Sequence, residues 1–447
     1  MARPRLTADL SVWIDQLASM LDERVAWRLQ PLLAGLLFAT GRRTVSSWLR
    51  AGQLAKDYQD YYYFLGIVGR KAQSLASSLL GLLLRTLEPS GRVLLGIDDT
   101  PSKRYGPKVE GAGIHHNPTP GPAGAKYIYG HNWVTLAWLA RHPLWGAIGL
   151  PLLGRMYVRQ KDVAGQGLPA LRGVTFQTKL VMAAELVRWA AARLHGLGLK
   201  LWVAADGAYA KKVFLKAAAA ARVVVVSRLR KDAALFDLPK PVPPGRRRRG
   251  RPRLYGTKKI SLAKRASHAQ GWQEETFVLY GVEQVKRYKT FLATYRPAGG
   301  LIRVVLVKEE DRTWRAYFCT APEASVTQIL EAVADRSALE QVYHDVKEVH
   351  GVGQAQTRNY WVNVGVFHMK IWLHTLIELW AWRKPAAVLV DRHESPWDDA
   401  ERRPSHADRR NSLRRACLEQ EFRAAATAEP VAIKIERLWR RVVRMVA

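Results

Sequence analysis

The sequence predicts a mixed α/β protein preceded by an all-helical region. Three observations carry that class. Up to about residue 88, apolar positions recur at helical spacing, as in Leu10, Trp13, Ile14, Leu17 and Leu21. From Arg92 the pattern turns into short apolar runs, RVLLGIDD, HNWVTLAWLA, PLWGAIGLPLL, LWVAADGAYA and RVVVVSRL, which read as buried strands. Between them lies TKLVMAAELVRWAAARL (Thr178 to Leu194), an amphipathic helical pattern. A chain of 447 residues implies two or three domains.

Composition narrows the class of partner. The chain is 48% hydrophobic and 24% charged, which is globular rather than disordered. Lys and Arg number 70 against 38 Asp and Glu, a formal charge of +32. That excess calls for a polyanion, and nucleic acid is the commonest; a membrane surface is the rival. No uninterrupted apolar run reaches 18 residues, and MARPRLTADL lacks the apolar stretch of a signal peptide, so no membrane partner is expected. Cys319 and Cys417 have no metal-type spacing and fit a reducing compartment. The expected location is the prokaryotic cytoplasm, at the nucleoid.

Taken in order, residues 1–88 form an all-α N-terminal DNA-binding domain. Within it GRRTVSSWLRAGQ (Gly41 to Gln53) reads as a polar turn and short helix bearing Arg42, Arg43 and Arg50. Either this is half of a helix-turn-helix, or it is the basic edge of a helical bundle. Residues 89–231 and 322–385 give the order strand, strand, strand, helix, strand, helix, strand, then helix. That is the order of an RNase H-like mixed sheet core. Residues 232–321 read as a β-rich insertion with a basic Arg-rich loop. SVTQILEAVADRSALEQVYHDVKEVHG (Ser325 to Gly351) is a long helical pattern broken near Ala334, with Ser325 and Gln328 as a capping box. Residues 386–447 form a basic C-terminal region, and its Arg-rich part from Arg392 to Arg415 is expected to be loosely ordered.

Acids stand at chosen places in this basic chain. Asp98 and Asp99 end the first strand, and Asp206 ends a later one. Glu340 lies four residues after Arg336 and seven before Lys347, so the three stack on one helical face. A glutamate flanked by cations can hold a metal while the cations grip phosphate; alone, the same spacing is equally an ordinary solvated ion-pair face. Phosphodiester cleavage needs the attacking oxygen activated and the leaving oxygen stabilised, and two divalent ions about 3.5–4 Å apart do both. Mg²⁺ favours carboxylate oxygens for this role.

These stretches together resemble an insertion-sequence DDE transposase of the IS-four-like superfamily. GIDDT with KRYGPKVEGAGIHHNP, then VAADGAY, then R-x3-E-x6-K carry the resemblance, over roughly Leu94 to Gln356. It implies an RNase H-like core whose catalytic and metal-holding acids are Asp99, Asp206 and Glu340. Two Mg²⁺ (or Mn²⁺) ions per active site are implied as cofactors. The family pattern places the ligand directly before the threonine, hence Asp99. Successive strand residues point to opposite faces, so Asp98 is expected to turn away as a supporting residue. The 133 residues between Asp206 and Glu340 leave room for the insertion. The family tyrosine of Y-x2-R-x3-E-x6-K falls on Val333, and Tyr343 and Tyr209 are possible substitutes. Double-stranded DNA, as element ends and target, is the implied partner, bound by a homodimer.

Further DNA contacts are expected from Arg336, Lys347, Arg42 and Arg43, and from Lys103 and Arg104 in the loop after the paired acids. RRRRGRPR supplies Arg246, Arg247, Arg248, Arg249, Arg251 and Arg253. Its Arg-Gly-Arg-Pro resembles an AT-hook, whose arginines enter a narrow minor groove; a plain basic linker is the alternative. His115 and His116 are either ligands or merely exposed loop residues. Trp272 and Trp314 either stack on a flipped base or sit in the core. Three functions stay open: a transposase that cleaves and joins DNA, a transposase-derived regulator without catalysis, and a nuclease that only hydrolyses.

Overall fold

A computed structural model describes residues 5–117, 124–240, 253–309, 313–393 and 397–425, with Ile435 and Trp439. Six helices come first: α1 (Ala8–Ala18), α2 (Glu23–Ala26), α3 (Leu29–Phe38), α4 (Val45–Ala51), α5 (Tyr58–Arg70) and α6 (Ala72–Leu87). The predicted stripe of α1 closes on the bundle, with Leu10, Ile14 and Leu17 fully buried. The turn expected before α4 ends at Thr44, whose hydroxyl accepts a hydrogen bond from the Ser47 N–H and caps the helix. Val45, Trp48 and Leu49 then bury against the bundle.

The sheet opens with β1 (Arg92–Lys103), β2 (Gly113–His116), β3 (Tyr127–His142) and β4 (Gly146–Tyr157). β3 lies antiparallel to β1, and β2 and β4 share its other edge. Three helices follow, α7 (Gln160–Gly165), α8 (Leu168–Arg172) and α9 (Lys179–Leu194), and then β5 (Lys200–Ala205). α10 (Lys212–Ala220) leads to β6 (Val224–Leu229). β5 pairs in parallel with β1, and β6 in parallel with β5. The spatial order is therefore β4, β3, β1, β5, β6: an antiparallel meander beside two parallel strands reached through helices. Such crossovers cover the faces, which is why β5 (LWVAA after Lys200) is apolar at every position.

The next segment holds β7 (Leu235–Phe236), β8 (Lys259–Ile260), α11 (Leu262–Ser267), β9 (Gln273–Leu279), β10 (Val282–Tyr295), β11 (Gly300–Lys308) and β12 (Trp314–Cys319). It is β-rich, as its composition predicts. β12 pairs antiparallel with β6, so these strands continue the same sheet, which reaches 12 strands.

Five helices complete the described chain: α12 (Val326–Asp335), α13 (Ser337–Glu348), α14 (Tyr360–Ala381), α15 (Ala386–Leu389) and α16 (His406–Ala425). The predicted break falls at Arg336, between α12 and α13, and both halves of the Ser325–Gln328 capping box form. α14 is apolar nearly all round and is buried by α5 on one side and β4 on the other. Its few polar groups are satisfied inside: Trp372 donates to the Leu152 carbonyl at 2.8 Å, and Thr375 to that of Pro151 at 2.7 Å. Phe367 stacks on Trp133 with ring centroids 3.9 Å apart. No described helix is long and apolar enough to cross a membrane. Cys319 and Cys417 are both buried and unpaired.

One expectation is corrected here. The Arg-rich stretch from Arg392 to Arg415 is not simply loose, since α16 begins within it and buries two of its arginines. Arg409 pairs with Glu378 at 2.5 Å, and Arg410 donates to the carbonyls of Leu37 and Ala39. Their partners lie far away in the chain, so local composition reads as solvated charge.

Candidate active site

The strand register brings two acids together. β1 and β5 run parallel with Ile97 opposite Ala205, so Asp98 and Asp206 follow at the same level where that pairing stops; β5 ends there, but β1 runs on to Lys103 against β3, so Asp98 and Asp99 lie in mid-strand and do not end it as the sequence suggests. Opposite residues of paired strands point to the same face. On the other side of β1, Asp98 is opposite Thr135 of β3. The Thr135 hydroxyl meets the Tyr343 hydroxyl of α13 at 2.6 Å. The face that carries Asp98 is therefore the one α13 covers.

Helix α13 reaches that face because two glycines admit it. A Cβ added to Gly96 would lie 2.8 Å from Leu339, and one added to Gly149 would lie 2.6 Å from Val342 and 3.0 Å from the Ala338 carbonyl oxygen. With α13 so close, Arg336 spans the gap: its Nη1 is 2.7 Å from Asp98 Oδ2, and its Nη2 is 3.3 Å from Glu340 Oε1. One guanidinium thus joins β1 to Glu340, whose carboxylate stays exposed.

The electrostatics agree with this placement. Burial raises the Asp98 carboxyl to about 6; Arg336 opposes the rise, and the charges of Asp99 and Asp206 add to it. Asp206 accepts a hydrogen bond from the Ala208 N–H at 3.1 Å, which fixes its carboxylate at the head of the turn Gly207–Tyr209.

Asp99 takes different partners. Lys179, the first residue of α9, lies 2.6 Å from its Oδ2, and the Tyr209 hydroxyl donates to its Oδ1 at 2.9 Å. Burial, with Asp99 beside it, pushes the Tyr209 phenol far up, so it stays protonated. The Asp99 N–H in turn donates to Asp98 Oδ1 at 2.8 Å. The expectation that Asp98 turns away while Asp99 joins Glu340 is thus reversed in this geometry. Alternation along β1 does separate the two acids, but α13 packs on the face of Asp98. A threonine next in sequence carries no information about which face a helix will cover.

The donor set suits a hard divalent cation: carboxylate oxygens from mid-β1, from the end of β5 and from one helix. Arg336 already sits between two of them as a cation. Among the described residues, these acids do not draw three ligand oxygens within 4.8 Å of one another; that closeness occurs at Asp345, His374 and His406. Carboxylates without a shared counter-ion repel, and the guanidinium takes the space between Asp98 and Glu340.

The predicted DNA contacts fall into several groups. Lys103, Arg42 and Arg253 are exposed; Lys347 and Arg43 are half-buried. Arg104 corrects an expectation: it is buried and donates to the Ala355 and Thr357 carbonyls and to Asn363, so phosphate has no access to it. Arg336 is engaged by Asp98 and Glu340. Arg246, Arg247, Arg248, Arg249 and Arg251 lie outside the described residues. Val333 packs in the apolar core beneath α12, while the two candidate tyrosines face the acids' neighbourhood, Tyr343 through Thr135 and Tyr209 through Asp99. His115 is buried, and burial drops its imidazole to about 4; His116 is exposed against Tyr127. Trp272 and Trp314 are partly buried, each with a lysine over its ring, Lys289 at 4.8 Å and Lys231 at 5.1 Å. Lys179 is a partner the sequence does not announce; nothing in its neighbourhood links it to an acid of β1 80 residues earlier.

A family model described as DDE superfamily endonuclease matches residues 16–290, more than half of the chain, and spans Asp98, Asp99 and Asp206 while ending before Glu340. No curated protein matches the chain. Among solved structures, the piggyBac transposase synaptic complex with hairpin DNA aligns with a TM-score of 0.36 and 8% identity. That alignment covers 84% of this chain and 63% of the other, so the chain spans less than two thirds of that protein's length. On the extent of the family match, the chain belongs to the DDE superfamily endonucleases.

Proposed function

We propose that the protein is a DNA transposase whose catalytic carboxylates are Asp98, Asp206 and Glu340, with Asp99 as the residue that positions them. The observation that carries this is the Arg336 bridge: it joins Asp98 of β1 to α13 at the level where Asp206 follows β5. The order β4, β3, β1, β5, β6 with acids on β1 and just after β5 is what an RNase H-like core would have. The net charge of +32 supplies the affinity for duplex DNA.

Asp98, Asp206 and Glu340 would hold Mg²⁺ or Mn²⁺. Two such ions, when bound, supply activation of the attacking oxygen and stabilisation of the leaving one. The chain's own groups do the rest. Lys179 and Tyr209 clamp Asp99 from two sides, and Asp99 fixes Asp98 through its backbone N–H. Tyr343 and Thr135 fix the distance between α13 and the sheet. Arg336, once its carboxylates have other partners, can turn to a phosphate oxygen, where a guanidinium binds two oxygens at once. Exposed Lys103, Arg42 and Arg253, with half-buried Lys347, are the described cations assigned to the DNA backbone. Water attacks first and frees a 3′-hydroxyl; that hydroxyl then attacks target DNA. A homodimer holds two ends together, in the prokaryotic cytoplasm.

The test is a nicking assay on a plasmid carrying the DNA that flanks the gene, with Mg²⁺ or Mn²⁺, beside a gel shift in Ca²⁺. Wild type is expected to nick and to yield joined products. Glu340→Gln is expected to bind and not cut. Cutting without joining would reduce the reading to a hydrolytic nuclease. Binding without cutting by the wild type in either metal would make it a regulator.

A further inference from the structure

A second cluster lies deeper along α13. Asp345 on that helix, His350 in the turn after it, His374 and Glu378 on α14, and His406 at the start of α16 converge. All five are at least nine-tenths buried, with 6%, 1%, 2%, 2% and 3% of their surface exposed. Asp345 Oδ2 is 3.7 Å from His374 Nε2, and the His374 and His406 rings stack with centroids 4.0 Å apart. His350 Nε2 and His406 Nε2 are 2.7 Å apart.

Protonation decides what this cluster can do. Glu378 accepts from His406 Nδ1 at 2.5 Å and from Arg409 at 2.5 Å. A carboxylate only accepts, so His406 Nδ1 carries the proton and its Nε2 accepts from His350 Nε2, a proton that a metal ion would displace. His350 Nδ1 and His374 Nδ1 have no hydrogen-bond partner, which is costly for buried polar atoms.

We propose that Asp345, His374 and His406 bind a structural transition-metal ion, with His350 as the fourth ligand. Neutral imidazoles with one carboxylate are the ligands zinc prefers, in contrast to the all-carboxylate site. Glu378 acts on His406 as an outer carboxylate acts on a metal-bound histidine: it fixes the tautomer and the ring. The ion would tie α13, α14 and α16 together five residues from Glu340, about 7.5 Å along the helix axis. Lys370 and Arg410, whose charge also bears on His350, are bonded to backbone carbonyls outside the ligand set.

The test uses the full chain purified without a polyhistidine tag, loaded with excess Zn²⁺ and dialysed against Mg²⁺ buffer. About one zinc per chain is expected to remain by elemental analysis, the stoichiometry of a four-ligand structural site. Co²⁺ in its place is expected to give the intense visible bands of tetrahedral coordination, which an all-carboxylate site does not give. His374→Ala and His406→Ala should lose the ion, and Asp98→Asn and Glu340→Gln should keep it. If both histidine variants fail to fold, the wild-type cobalt spectrum decides alone. Zinc washed out of the wild type, or a Co²⁺ spectrum of octahedral form, overturns the proposal and leaves a hydrogen-bonded histidine core. So does zinc that is lost with Asp98→Asn but kept with His374→Ala.

Discussion

Helix α13 serves two clusters of ionisable groups that are built in opposite ways. Around Glu340 the groups are carboxylates, the site opens to solvent, and one guanidinium bridges the acids. Around Asp345 the groups are mostly imidazoles, the site is closed, and the charges are matched by fixed neighbours such as Glu378 with Arg409. The first arrangement leaves the Glu340 carboxylate open to solvent, with Arg336 as its partner. The second is closed, and two of its imidazole nitrogens, His350 Nδ1 and His374 Nδ1, have no partner. Exposure separates the two roles, since a catalytic site must admit substrate and a structural one must exclude water.

The largest expected contrast is in activity. Glu340→Gln and Asp206→Asn should each lower nicking about a thousandfold, because a lost metal ligand costs several kcal/mol and each 1.36 kcal/mol is tenfold. The melting temperature of Glu340→Gln should stay near wild type, since Glu340 is exposed. Glu378→Gln should do the reverse. It leaves Arg409 buried with a weakened partner, which costs about 3–5 kcal/mol. Denaturant titration checks it: a Glu378→Gln variant as stable as wild type would remove the contrast.

Acid should separate the clusters next. His115, His131, His368 and His406 are buried and neutral, with imidazoles dropped by burial to about 4, 3, 4 and 4. Their folded values lie below the unfolded one, so the unfolded chain binds more protons. Stability is therefore full above pH ~6.5 and is lost as pH falls from there towards ~4, by up to about 1.4 kcal/mol per pH unit for each such histidine. Urea midpoints measured from pH 7.5 to 4.5 should fall steadily. A flat profile would mean that these imidazoles titrate alike in the folded and unfolded chain.

Smaller effects sharpen the acidic site. Lys179→Met removes one of the two clamps on Asp99, a partly exposed pair worth about 1 kcal/mol at most. Nicking should fall a few-fold with binding unchanged. Replacing Arg246 to Arg249 by alanine should lower the slope of log affinity against log salt by up to about 0.9 for each phosphate no longer neutralised by an arginine. An unchanged slope would assign that run to a linker.

Much of this architecture is legible in the sequence. The apolar runs ending in Asp98–Asp99 and in Asp206 announce buried parallel strands, and the capping box of Ser325 and Gln328 marks where α12 starts. Glu340 is reachable through its spacing from Arg336. Other features rest on long-range packing that no local pattern encodes. Which of two adjacent acids faces α13 depends on the helix crossing at Gly96 and Gly149. Arg104, beside an exposed lysine in a basic loop, reads as a phosphate ligand, yet its partners are carbonyls some 250 residues later. The histidine cluster draws on a turn and three helices, so its ligands show no motif spacing.

The assignment of Asp98 over Asp99 is tested most directly by comparing Asp98→Asn with Asp99→Asn in one Mg²⁺-dependent nicking assay, with DNA binding measured in Ca²⁺ as the control. Asp98 shares its face with Asp206 and α13, whereas Asp99 is bound by Lys179 and Tyr209. Asp98→Asn should reduce nicking to the level of Glu340→Gln, and Asp99→Asn should retain at least about a tenth of wild-type activity, the loss of roughly one 1.4 kcal/mol interaction. An inactive Asp99→Asn beside an active Asp98→Asn, with binding intact in both, would contradict the account.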